Sequence, residues 1–275
     1  MELVEIFKAV ILGIIEGVTE WLPISSTGHM ILVDEFLQLG MSEAFKEMFF
    51  VVIQLGAIMA VVVLYWKKIF PFSFKSKPIV QNDIIIMWVK IVLACIPAAI
   101  IGLFFDDQIN ALFYNFQTVA IMLILFGIFF IVVENHNKGK RPIAYTMNQL
   151  TFKMAIIIGL FQVIAAVFPG TSRSGATILG ALLIGVSREV AAEFTFFLAI
   201  PVMFGASLLK LVKFGMVIKG FELTVLLVGM AVAFVVSILA IKFLVGYIKK
   251  HDFKVFGWYR IVLGVILLGY YFFMM

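Results

Sequence analysis

The sequence predicts an all-α polytopic membrane protein: six transmembrane helices plus two re-entrant helical hairpins in an inverted-topology repeat. Three observations lead there. The 275 residues are 64% hydrophobic and only 13% charged, with a mean hydropathy of +1.15, whereas a soluble domain carries about 25% charge. Several apolar runs reach the ~20 residues a helix needs to cross a bilayer, without the short alternating segments of a transmembrane barrel. Two further apolar regions, 3–40 and 152–186, are interrupted in the middle by polar residues.

Taken in order, the first element is the broken region 3–40, interrupted at Pro23-Ile-Ser-Ser-Thr-Gly28. Full spans follow near 48–66, 84–105 and 116–133. The second broken region, 152–186, is interrupted at Pro169–Gly175, and spans near 189–209, 222–246 and 256–274 complete the chain. Each half of a broken region is too short to span. Non-helical backbone at membrane depth is tolerated only where protein or a water-filled cavity surrounds it, so each region reads as a hairpin with its polar tip near the midplane. A shift of 146 positions aligns Gly13 with Gly159, Glu16 with Gln162, Pro23 with Pro169, Ser26 with Ser172 and Glu47 with Glu193. Each half is thus a broken hairpin and three spans. Three is odd, so the repeats, about 1–135 and 150–275 of one transmembrane domain, are expected to lie in opposite orientations, with a binding site formed from the discontinuous helices.

Charge sets the expected orientation. The segments 67–83, 134–153 and 247–254 carry eleven Lys and Arg, among them Lys75 and Lys77, and the segments 34–47, 106–115 and 210–221 carry four, Lys219 included. The positive-inside rule makes the first set cytoplasmic. Both termini then face outside, the first hairpin enters from outside and the second from the cytoplasm. The apolar stretch Ala9–Ile15 runs into Glu16 without a small-residue cleavage site, so it does not read as a signal peptide. Cys95 is the one cysteine, which excludes an internal disulfide, and it reads as a packing residue. The formal net charge of +5 would suggest nucleic acid in a soluble protein; here the lysines belong to loops and no nucleic-acid partner is expected. Oligomeric state, monomer or homodimer, is open.

Ionisable groups at membrane depth are costly and mark functional sites. Glu16 and Glu20, four apart, share a helix face. Two such carboxylates repel unless a cation lies between them or one is protonated, and their oxygens suit Mg²⁺ or Ca²⁺; the alternative is a hydrated or neutral pair. Beyond Pro23, the hydroxyls of Ser25, Ser26 and Thr27 precede Gly28, which permits close backbone approach. A helix starting there would favour a phosphate at its N-terminus, and the hydroxyls could equally cap it. His29, three residues after Ser26, suits Ser–His activation of a nucleophile, direct attack, or metal ligation, against a purely hydrogen-bonded structural role. In the second break, Arg173 offers a planar fork for phosphate oxygens, flanked by Ser172, Ser174 and Thr177. Arg173 could also simply pair with a glutamate and hold the hairpins together. Gln54, Lys90, Lys242 and Arg260 read as interhelical hydrogen-bonding or snorkelling residues, Glu193 as a support for the second hairpin, and His136 and His251 as solvated loop residues.

The two breaks resemble the signature motifs of the undecaprenyl-pyrophosphate phosphatase family, the bacitracin-resistance type of integral membrane enzyme. Glu16-x-x-x-Glu20 followed by Pro23-Ile-Ser-Ser-Thr-Gly-His29 matches the first motif, and Pro169-Gly-Thr-Ser-Arg-Ser174 with Thr177 the second. Val52–Gly56 and Glu193–Pro201 match as well, so the resemblance covers nearly the whole chain. It implies a bacterial inner-membrane hydrolase that removes the terminal phosphate of a C55 polyprenyl diphosphate, with a site opening to the outer face and a requirement for Mg²⁺ or Ca²⁺. The product would be the lipid carrier of cell-wall synthesis. On this reading Glu20, Ser26, His29 and Arg173 are catalytic. Ser25, Thr27, Gly28, Ser172, Arg173, Ser174 and Thr177 bind the diphosphate, and Glu16 and Glu20 hold the metal. Ser26 activated by His29, His29 itself, or a metal-bound water could be the nucleophile. Inverted repeats are also typical of transporters, so a carrier or flippase of polyprenyl phosphate is the alternative.

Overall fold

The computed structural model describes residues 2–34, 36–72, 79–215, 218 and 220–274; Lys75, Lys77 and Lys219 of the charge analysis lie outside them. Eleven α-helices make up the described architecture: α1 (Glu2–Thr19), α2 (Ser26–Asp34), α3 (Glu43–Val52), α4 (Gln54–Ile69), α5 (Asn82–Phe113), α6 (Phe116–Asn137), α7 (Phe152–Val167), α8 (Arg173–Leu183), α9 (Arg188–Phe214), α10 (Gly220–Ile248) and α11 (Lys254–Met274). Six stretches are long and apolar enough to cross a membrane: Glu43–Ile69, in which α3 and α4 are nearly continuous, Asn82–Phe105, Phe116–Asn137, Arg188–Phe214, Gly220–Ile248 and Lys254–Phe272. They contain or overlap the six spans expected from hydropathy. The pairs α1–α2 and α7–α8 are the broken regions.

Side-chain contacts fix which helix ends lie together. At one end Asn148 donates to Asp83 at the start of α5, the Phe253 amide donates to Glu134 near the end of α6, and Lys68 of α4 pairs with Glu193 of α9. At the other, Lys210 of α9 pairs with Glu47 of α3, and Phe116 packs on Tyr270 and Tyr271 of α11. The broken pairs respect this division. Near the start of α1, Lys8 donates to the Gln38 carbonyl and Glu5 accepts from the Gly40 amide, so the segment after α2 lies beside the start of α1. Asn137 donates to the Leu182 carbonyl, so the end of α8 lies beside the end of α6. Glu193 pairs with Lys68 rather than with the second break, contrary to the expectation for it.

Small residues let the helices cross closely, as expected where lipid offers no hydrophobic drive and packing must hold helices together. A Cβ on Gly159 of α7 would sit 2.3 Å from the Ala94 carbonyl of α5, and one on Gly13 of α1 would sit 2.7 Å from the Gly229 carbonyl of α10. Gly127 and Gly257 meet reciprocally where α6 crosses α11. The principal core lies between α4, α8, α9 and the breaks, around Trp21, Phe194, Phe196 and Phe197.

Candidate active site

Both breaks are built alike. Ser25 and Ser172 are the two non-glycine residues with positive φ among those described, at 74° and 70°. Such left-handed backbone costs about 1–3 kcal/mol and gathers at functional sites. Each serine turns its hydroxyl onto the following helix: Ser25 Oγ accepts from the Gly28 amide at 3.2 Å, and Ser172 Oγ from the Gly175 amide at 3.1 Å. The structural partner of Ser172 is therefore Ser25 and not Ser26. The second break holds one more residue between proline and capping serine, so the 146-residue shift slips to 147 there. For both serines the observed role is capping.

The starts of α2 and α8 converge on one cavity of about 140 Å³. Its wall includes Glu20, Ser26, Thr27, Gln54, Ser172 and Arg173. Two helix N-termini presenting free amides and the positive ends of their dipoles suit an anion. Glu20 joins the breaks: Oε2 accepts from the Ser26 hydroxyl at 2.7 Å, and Oε1 accepts from Arg173 Nη2 at 3.0 Å. Arg173 Nη1 donates to the Thr195 carbonyl at 3.0 Å, and its Nε has no partner among the described residues. The pairing of Arg173 with a glutamate is thus real, and Arg173 still contributes to the cavity wall while its Nε is buried away from it.

Other expected residues stand elsewhere. His29 does not hydrogen-bond Ser26. Its Nδ1 lies 2.7 Å from the Ser25 carbonyl, one helical turn back, which aims Nε2 at the Tyr259 hydroxyl, 2.6 Å away. The expected Ser26–His29 pair is therefore replaced by Ser26–Glu20. Ser174 donates to the Glu20 carbonyl, and Thr177 meets the Thr195 hydroxyl at 2.9 Å. Both are buried behind Arg173 and do not line the cavity. Gly28 faces Val119 and Leu123 of α6 at ordinary contact distance, away from the cavity. Glu16 is buried with Oε1 unpaired, and Gln162, which the 146-residue shift aligns with it, is buried with both amide atoms unpaired.

Two residues of α11 complete the assembly. Tyr259 holds His29 and stacks on it. Arg260, fully buried, donates to the carbonyls of Pro23 at 3.2 Å, Gly170 at 2.9 Å and Thr171 at 2.7 Å. It ties the two breaks to each other. The sequence signal for it is a lone arginine inside an apolar run.

With this geometry in place, similarity to known proteins becomes informative. Residues 9–266 match the family model described as bacitracin resistance protein BacA. The chain belongs to the BacA family. Its relatives include the "Undecaprenyl-diphosphatase" of Desulfitobacterium hafniense, 70% identical over 98% of both chains. The "Undecaprenyl-diphosphatase 1" of Clostridium acetobutylicum is 65% identical over 98% of this chain and 99% of its own. An "Undecaprenyl-diphosphatase" of Enterococcus faecalis is 61% identical over 98% of both. The BacA match spans both breaks and five of the six apolar stretches, and it reaches residue 266 within the sixth.

Proposed function

We propose that this multi-pass membrane protein hydrolyses undecaprenyl diphosphate to the monophosphate and inorganic phosphate, recycling the lipid carrier of peptidoglycan synthesis and so conferring bacitracin resistance. The observation that carries the site is Glu20, which holds Ser26 of one break and Arg173 of the other at the same cavity. The relatives named above are diphosphatases, which supports hydrolysis over the carrier reading.

Arg173, in the cavity wall, binds the terminal phosphoryl oxygens with its guanidinium, assisted by the amides at the starts of α2 and α8 and by Thr27. Ser26 Oγ attacks the terminal phosphorus. Its proton passes to Glu20 Oε2, 2.7 Å away, the bond from phosphorus to the bridging oxygen breaks, and the polyprenyl monophosphate leaves carrying that proton, which restores the Glu20 carboxylate. Water then attacks the phosphoserine, Glu20 takes its proton and passes it to the departing Ser26 oxygen, and phosphate is released. Phosphoryl transfer asks mainly for positioning and charge stabilisation, which Arg173 and the helix ends supply. Glu16, with a buried unpaired oxygen, and Glu20 fit a Mg²⁺ or Ca²⁺ ion, since such ions take one or two carboxylates together with substrate phosphates. Bound there, the ion would neutralise charge on the phosphoryl oxygens.

The same reading makes α1–α2 and α7–α8 re-entrant hairpins of an inverted repeat, about 1–135 and 150–275, within one domain. It places the protein in the bacterial inner membrane with the site open to the outer face. The shared turn at Ser25 and Ser172 supports the repeat, and the entry of the two pairs from opposite ends supports the inversion. The test is phosphate release from detergent-purified protein given undecaprenyl diphosphate, with Arg173→Lys beside it. Lysine keeps the charge and loses the fork, so turnover should fall by about a hundredfold or more. No phosphate release by the intact protein would refute the hydrolase reading.

A further inference from the structure

Far from the catalytic cavity, at the end of the bundle where α6, α8 and α10 finish and α9 begins, lies a cleft of about 880 Å³. It is a built feature. The loop after α6 is fastened to the turn between α8 and α9 by Ile143 N–H to the Gly185 carbonyl at 2.6 Å and Ser187 N–H to the Ala144 carbonyl at 2.9 Å. A backbone bridge joins Ala144 to Val186. Arg188 and Glu134 form a paired floor. Above it Lys138, Arg141 and Lys249 line the cleft, exposed and without a carboxylate partner among the described residues. Among the described residues, the Lys140 ammonium meets His136 and no carboxylate. Beyond the Arg188–Glu134 pair, the lining cations Lys138, Lys140, Arg141 and Lys249 outnumber the one lining carboxylate, Glu189, so the cleft carries an excess of positive charge that an anion relieves. The opposite wall is apolar and open to the surroundings: Ile143 is 70% exposed, Tyr145 54% and Leu183 47%.

A soluble anion would use the cations and leave that apolar wall bare. We infer that the cleft binds the phosphate headgroup of an anionic membrane lipid, its acyl chains lying over Ile143, Tyr145 and Leu183. Basic pockets at the ends of transmembrane helices recognise such headgroups, and the bilayer surface supplies them at high local concentration. Leu183 is the last residue of α8, whose first is Arg173, so a lipid seated here steadies the far end of the helix that carries the phosphate clamp.

Full-length protein in neutral detergent, mixed with phosphatidylglycerol or phosphatidylcholine and examined by native mass spectrometry, tests this. Wild type should retain phosphatidylglycerol in stoichiometric amount and not phosphatidylcholine. Removing three charges in Lys140→Gln/Arg141→Gln/Lys249→Gln should weaken that binding about a hundredfold, at about fivefold per cation, while undecaprenyl diphosphate turnover without added lipid stays unchanged. Ile143→Asp, which alters only the exposed wall, should expel the lipid as well, and Lys140→Arg/Lys249→Arg should retain it. Equal retention by the triple variant would overturn the proposal. So would displacement of the lipid by an equal concentration of inorganic phosphate, because the cleft would then be a soluble-anion site.

Discussion

The Glu20 carboxylate divides its two oxygens between a hydroxyl and a guanidinium, and this division makes separable predictions for single residues. If Ser26 and Glu20 act as one unit, Ser26→Ala and Glu20→Gln should each lower kcat on the order of 10²–10⁴-fold. The double variant should then be little worse than either, because groups serving one proton transfer are not additive. His29 contacts Tyr259 and not Ser26, so combining His29→Ala with Ser26→Ala should multiply the losses. A double variant of Ser26 and His29 no worse than the serine variant would return the histidine to the role of base. The metal is tested separately. Excess chelator should abolish hydrolysis and Mg²⁺ or Ca²⁺ restore it, while Glu16→Gln should raise the metal concentration needed for half-maximal rate. Full activity in chelator would leave Glu16 a buried helix partner only.

At the level of elements, α11 is the unexpected contributor. Arg260 gives its fork to three carbonyls in the two breaks, and a carbonyl left buried without a donor costs about 1–3 kcal/mol. Arg260→Met should therefore lower the thermal midpoint in detergent and depress kcat more than it raises KM, since the breaks lose their spacing while Arg173 keeps its fork. Arg260→Lys, which can still donate, should recover part of both; equal loss in Lys and Met variants would argue against a positioning role. Hydropathy made the six spans and the two broken pairs legible, because each is written in a continuous stretch of chain. Local motifs likewise singled out Glu20, Ser26 and Arg173, which meet at one cavity. The contribution of α11 was not legible. Tyr259 meets His29 across 230 positions, and no local pattern distinguishes a tethering arginine from a snorkelling one. The Ser26–His29 pairing failed for a different reason: three-residue spacing fixes a helix face, but the Ser25 carbonyl captures Nδ1 and turns the ring away. The extra residue before Ser172 was hidden because a fixed shift cannot register an insertion.

Over the whole molecule, the sidedness of charge and the contacts between helix ends agree on one division of the chain. The ends carrying Lys67, Lys138 and Lys250 belong to the side joined by Asn148–Asp83, Phe253–Glu134 and Lys68–Glu193. Leu112, 67% exposed near the end of α5, lies one span away from that side. An even distribution of cations would give no basis for an orientation; the excess at one end is what supports the proposed cytoplasmic placement of that end. On a Cys95→Ala background, Lys67→Cys, Lys138→Cys and Lys250→Cys should react with an impermeant thiol reagent only when the cytoplasmic face is opened. Leu112→Cys should react in intact cells. Modification of Lys67→Cys and Lys138→Cys from opposite faces would break the six-span topology itself. If instead all four sites exchange sides together, the spans survive and the orientation inverts. The first hairpin would then enter from the cytoplasm, and the catalytic cavity could not draw its lipid diphosphate from the outer leaflet.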